Sequence, residues 1–190
     1  FKGALTEAGI AFEECHEPVS LKLDTGTVKG TYDLVIDGAV DDVKSASDWS
    51  YRNKFESFDT LHKGDSFGYV GQLAGYAKAS GKKAGGWWVV NKANGAFKYV
   101  PANNINMDEE VAKLNSTALT VEANEFKRCF KPEIETFRGH PTGNTVLNNG
   151  CIFCDFRYSC WPNMVERPSI PSQAKEPKIV SYITISREHM

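Results

Sequence analysis

No stretch of this chain approaches the roughly 18 consecutive apolar residues that a membrane-crossing helix needs, so no membrane partner is expected. No basic segment followed by an apolar one opens it, so a secretory leader is not expected either. There is no Walker A pattern, so a helicase motor is expected on another chain or not at all. Internal repeats and low-complexity tracts are missing. An excess of one charge is missing too: the net charge is −2, and bulk electrostatics therefore selects no partner.

At 190 residues, 41 % of them hydrophobic and 24 % charged, the chain has the make-up of an ordinary globular protein with one real core. Its five cysteines are an odd number, and three of them, Cys151, Cys154 and Cys160, crowd into ten residues. That is poor arithmetic for a disulfide framework and good arithmetic for a metal or cluster site in a reducing compartment, so a cytoplasmic setting is expected (the host cytoplasm for a phage-encoded chain).

Residues 1–10 read as the end of a helix stopped by Gly9. Residues 17–23 alternate as a half-buried strand. Residues 30–36 and 39–44 are strand-like and are separated by Asp37-Gly38, a strong hairpin signal. A helix is expected within 45–67, and residues 69–80 have helical spacing ended by Gly81. Residues 87–92 and 96–100 form a second hairpin turned by Asn94-Gly95. A long helical pattern covers 108–135, interrupted or ended near Pro132, residues 139–150 read as loop, and prolines beyond Trp161 suggest an irregular tail. Strand hairpins interleaved with helices give an α/β fold with a mixed central sheet flanked by helices.

A two-residue turn at Asp37-Gly38 pairs Ile36 with Ala39, so paired positions sum to 75. Asp33 then falls opposite Asp42, about 4.5–5.5 Å away on the same face, with Lys44 two residues on and on that face too. Asp41 points the other way. Two like charges about 5 Å apart repel by about 3 kcal/mol at an effective dielectric of 20. A divalent cation between them reverses that sign, and Mg²⁺ or Mn²⁺ suits carboxylates and retained waters. The bland alternative is an exposed hairpin on which Lys44 pairs with an aspartate.

Gly30-Thr31-Tyr32-Asp33, then Asp42-Val43-Lys44, then Gln72-Leu73-Ala74-Gly75-Tyr76 resembles the RecB-type branch of the PD-(D/E)XK nucleases. That family has a Gly-x-x-Asp strand, an acidic-x-Lys strand after a short turn, and a Gln-x-x-x-Tyr helix. The resemblance covers residues 17–100. It implies a restriction-endonuclease-like core and a Mg²⁺- or Mn²⁺-dependent DNA nuclease, exonuclease-like and preferring single strands or free ends. It further implies Asp33, Asp42 and the Val43 carbonyl as metal ligands, Lys44 as the catalytic lysine, and Gln72 and Tyr76 beside the site. Glu17 or His16 could stand near the family's upstream acidic or histidine position.

The Cys151-x2-Cys154-x5-Cys160 spacing is similar to the last three ligands in the iron–sulfur branch of the same family. It implies a [4Fe–4S] cluster, with zinc as the rival. The family's fourth cysteine precedes the nuclease core, which favours Cys15, or a cysteine upstream of this sequence, over Cys129. The role implied is a structural clip on the C-terminal segment, and partners in recombination or replication fit this branch. The expected organisation is a nuclease domain over 1–161 and an irregular tail over 162–190. A non-catalytic nucleic-acid-binding module with a metal clip is the reading from another class. A duplex-cutting restriction enzyme fits the Gln-x-x-x-Tyr helix and the cysteines poorly.

Overall fold

A computed structural model describes residues 1–13, 16–125 and 127–186. They form two compact units, Phe1–Glu125 and Phe126–Met190. The first unit is α/β. Helix α1 (Lys2–Glu7) precedes a two-stranded hairpin of β1 (Glu17–Leu23) and β2 (Gly26–Tyr32). A four-stranded sheet follows, built from β3 (Leu34–Ile36), β4 (Ala39–Ala46), β5 (Lys83–Asn91) and β6 (Phe97–Pro101), in the order β3-β4-β5-β6. The outer pairs are antiparallel hairpins and the central β4–β5 pair is parallel, so the sheet is mixed as the sequence suggests.

A parallel pair needs a long crossover. Residues 47–82 supply it with a π-type turn at Ser50–Lys54, α2 (Phe58–Lys63) and α3 (Tyr69–Ser80). Asp65 fastens the start of α3: its two carboxylate oxygens accept from the amides of Tyr69 and Val70 at 3.0 and 2.8 Å, meeting the free N–H groups and positive end of the helix. Gly81, at φ +69°, ends it. One face of α3 buries Val70, Leu73, Ala74 and Ala77, and the core continues through Val40, Phe55, Leu61, Trp87 and Val89. Helix α4 (Met107–Glu122) packs against α3. Asn106 caps it, accepting from the Glu109 amide.

The second unit carries an antiparallel sheet in the order β7-β8-β10-β9: β7 (Glu133–Phe137), β8 (His140–Val146), β9 (Val165–Pro168) and β10 (Ile179–Thr184). The short α5 (Arg157–Cys160) lies between β8 and β9. Here the structure corrects three readings. The helix expected over 108–135 ends at Glu122, just before Asn124 at φ +52°, and the stretch beyond it leads into β7. Residues 140–146 are strand rather than loop. They are polar, contain Pro141 and Gly143, and pair with a register shift, so no period-2 pattern announces them. Residues 165–168 and 179–184, read as irregular, are paired strands, with Pro168 at the end of β9 where a lost donor matters least. Among the described residues no helix is long and apolar enough to cross a membrane.

Candidate functional site

The site grows from the β3–β4 hairpin. Asp37 and Gly38 sit at φ +50° and +72°, the left-handed pair that a two-residue turn requires. The ladder runs Ile36–Ala39, Val35–Val40 and Leu34–Asp41, the register expected from the turn. Asp33 steps out of the ladder between β2 and β3. Its carboxylate Oδ2 accepts from the Val43 amide at 2.7 Å, and its carbonyl accepts from the His16 amide at 3.1 Å. Thus a side chain, in place of a strand residue, closes this corner of the hairpin.

Asp42 is 3 % exposed. Its Oδ2 lies 2.6 Å from Lys44 Nζ, yet that buried oxygen has no aligned hydrogen bond. The contact is close and charge-based but poorly aligned, and the same ammonium also donates to Gln72 Oε1 at 2.9 Å. Burial raises the Asp42 carboxyl from 3.8 to about 6, Lys44 pulls it down, and the charge and contact of Asp33 push it up. The two carboxylates therefore act on each other, and Lys44 stands on the same side. Lys44 does pair with an aspartate, as the bland reading has it, but Asp42 is buried rather than exposed. Asp41 does point the other way: it accepts from Tyr99 OH at 2.9 Å and Trp88 Nε1 at 3.2 Å.

Helix α3 delivers the remaining groups. Gln72 Nε2 donates to Tyr76 OH at 2.9 Å, so Asp42, Lys44, Gln72 and Tyr76 form one polar chain. Gln72 and Tyr76 share a helix face by their i, i+4 spacing. Tyr69, three residues before Gln72, joins them with its ring centroid 5.0 Å from Lys44 Nζ. Tyr69 was not singled out from sequence, although its i, i+3, i+7 spacing with Gln72 and Tyr76 is a readable signal. His16 Nδ1 is 3.9 Å from Asp33 Oδ1. His16, Asp33 and Val43 also line one cavity with Phe1. Glu17 is exposed on β1, paired with Tyr32. Of the two upstream candidates, His16 is the one beside Asp33.

Cys151, Cys154 and Cys160 lie together between β8 and β9, with the Cys154 amide donating to the Cys151 carbonyl at 3.1 Å. Cys129 belongs to the same unit, and both its neighbours contact this segment. Arg128 Nε donates to the Cys160 carbonyl at 3.0 Å and its guanidinium sits 4.0 Å from the Trp161 ring centroid. The Phe130 ring fills the space where Gly150 would carry a Cβ. Burial pushes the Cys151 thiol up, as do Cys154, Cys160 and Cys129 in turn. Cys15 lies outside the described residues. Among the described residues no three His, Cys, Asp or Glu side chains are gathered closely enough to hold a metal as they stand.

No protein-family model matches the chain, and no curated protein does. Among solved structures, it is similar to a protein described as a candidate exonuclease from Eubacterium rectale, a crystal structure at 2.19 Å resolution. The TM-score is 0.39 and the identity 17 %, over 61 % of this chain and 48 % of that one. The chain thus spans about half the length of that protein.

Proposed function

We propose that this chain is a Mg²⁺- or Mn²⁺-dependent DNA nuclease of the PD-(D/E)XK type, acting as an exonuclease on single strands or free ends. The observation that supports it most is the Asp42 carboxylate: buried, beside Asp33 and Lys44, with one oxygen lacking an aligned hydrogen bond. Hard divalent cations commonly take one or two carboxylates, retained waters and substrate phosphate oxygens. Asp33 and Asp42 fit that donor set, with the Val43 carbonyl as a third protein ligand. When bound, such a cation polarises a phosphoryl oxygen and lowers the pKa of water.

The protein's own part is positioning and charge. Asp33 and Asp42 hold the cation. Lys44 orients the attacking water and neutralises charge that builds on the phosphoryl oxygens. Gln72 aims the Lys44 ammonium, and Tyr76 fixes the Gln72 amide by accepting from its Nε2, so the carbonyl end faces Lys44. Cleavage adds water across a phosphodiester P–O bond: one oxygen leaves as a hydroxyl and the phosphate retains the other.

The cysteine unit is read as a structural clip. Cys129, Cys151, Cys154 and Cys160 would supply a purely thiolate donor set for a [4Fe–4S] cluster, or for zinc as its rival, once drawn closer together than they stand. Cys129 is preferred to Cys15 because its two neighbours pack onto the segment that carries the other three.

The test uses labelled linear and circular single-stranded DNA with Mg²⁺, Mn²⁺ or EDTA. Shortening of the linear strand alone, with either metal and not with EDTA, is expected. Asp42→Asn and Lys44→Ala should stop it while the fold survives. Intact DNA in every lane, with DNA still bound, would favour a non-catalytic binding module.

A further inference from the structure

Next to the carboxylate–lysine chain lies an apolar trough of about 360 Å³. It is lined by Gly71 and Gly75 of α3, Val28 and Lys29 of β2, and Phe67. Gln72 and Tyr76 line it as well, so the trough and the polar chain share two side chains. The trough meets the polar chain at these two side chains, and the carboxylates themselves are not part of its lining.

Phe67 is 69 % exposed, unlike Trp87 and Phe55, which are core. Yet its ring is held in place. It stacks on Tyr69, with centroids 5.7 Å apart and planes 22° apart, and Tyr69 stacks in turn on buried Phe55 at 5.8 Å and 25°. The Lys54 ammonium lies 4.6 Å from the Phe67 centroid and 4.7 Å from that of Tyr69. The Tyr69 ring is thus close to both Lys54 and Lys44. A largely exposed aromatic ring held by stacking, with one cation over it and a second cation, Lys29, lining the same apolar trough, offers what an unpaired base and its phosphates need. A base inside a duplex has no free face to offer.

We infer that Phe67, Lys54 and this trough form a subsite for one unpaired nucleotide next to the scissile phosphate. The base stacks on Phe67, Lys54 meets a phosphate, and the subsite makes the chain prefer single strands. This rests on the nuclease reading for the position of the phosphate, but binding can be measured without cleavage.

The experiment is fluorescence anisotropy of labelled oligothymidine with the full chain in EDTA, against a blunt duplex and an oligonucleotide with abasic positions. Phe67→Ala should weaken oligothymidine binding roughly 10-fold, leave the duplex unchanged, and cost nothing on the abasic strand, where no base is left to stack. Phe67→Trp should restore binding, and Lys54→Ala should weaken it and flatten its salt dependence. Unchanged oligothymidine binding by Phe67→Ala, or an equal loss on the abasic strand, would overturn the subsite. Asp42→Asn cleavage is assayed in parallel. Surviving cleavage there removes the two-carboxylate site as the cutting centre and leaves a single-strand subsite if the Phe67 results hold. Lost cleavage with unchanged Phe67→Ala binding removes the subsite alone.

Discussion

The Tyr76 ring occupies the position that a Cβ on Gly30 would take: its Cε1 lies 2.5 Å from that point. This close approach explains in physical terms why a glycine stands three residues before Asp33. Strand β2 must let the aromatic ring pass so that its hydroxyl can reach Gln72, and Gln72 can reach Lys44.

Gly30→Ala should therefore act at a distance. The methyl group displaces the Tyr76 ring and breaks the chain that aims Lys44. Overpacking of this kind costs about 1–3 kcal/mol of stability. A fall in kcat of about 10-fold or more is expected, in line with the loss of a positioning contact. Thermal melting and single-turnover cleavage check the two effects, and Tyr76→Phe should reproduce the kinetic one with less loss of stability.

Asp42 sets a pH signature. Its carboxyl ionises at about 6 in the folded chain against 3.8 as an ordinary aspartate. A raised acid holds its proton more tightly when folded, so its stabilising effect is complete below 3.8 and is lost as pH rises through 6. The difference amounts to about 3 kcal/mol. In EDTA, stability should fall between about pH 4 and pH 7 for the wild type. Asp42→Asn, which is neutral throughout, should lose that slope and be more stable at neutral pH, though inactive. Mg²⁺ should raise the melting temperature of the wild type and not of this variant.

Asp41, one residue away, should behave oppositely in function. Burial raises its carboxyl pKa, while the Tyr99 hydroxyl and Trp88 indole lower it by donating to it. Tyr99→Phe removes one donor from a buried carboxyl and should cost about 1–3 kcal/mol. Cleavage per folded molecule should stay at the wild-type rate. A large drop in kcat without loss of stability would show that the two faces of β4 are not separate.

For the cysteines, anaerobically purified protein should carry iron with visible absorbance, or zinc without it. Cys129→Ser should lose bound metal as fully as Cys154→Ser does. Cys15→Ser should keep it. Metal analysis by mass spectrometry reads this directly, with no need for activity.

Much of the first unit is legible in the sequence because its signals are local. The Asp37-Gly38 turn sets the register of β3 and β4 one pair at a time. The spacing of Tyr69, Leu73 and Ala77, with Gly81 beyond them, gives α3 its bounds. Strand β1 follows from alternation over 17–23. The second unit is not legible in this way. Strand β8 is polar and contains a proline, and it becomes a strand through its pairing with β7, two residues before it, and with β10, which lies near in space but far along the chain.

What the sequence determined by itself is the pairing frame of one hairpin and the face of one helix, hence which acidic, basic and amide groups could share a surface. A turn and a period fix direction over a few residues, and direction is enough for that. The tertiary fold decided the rest. It took Asp33 out of the ladder to hold the Val43 amide, buried Asp42 until its ionisation shifted, brought the neighbours of Cys129 onto the other cysteines, and left Phe67 open to solvent. Each of these depends on which distant segment arrives, because burial and close packing are properties of the assembled chain and not of any window along it.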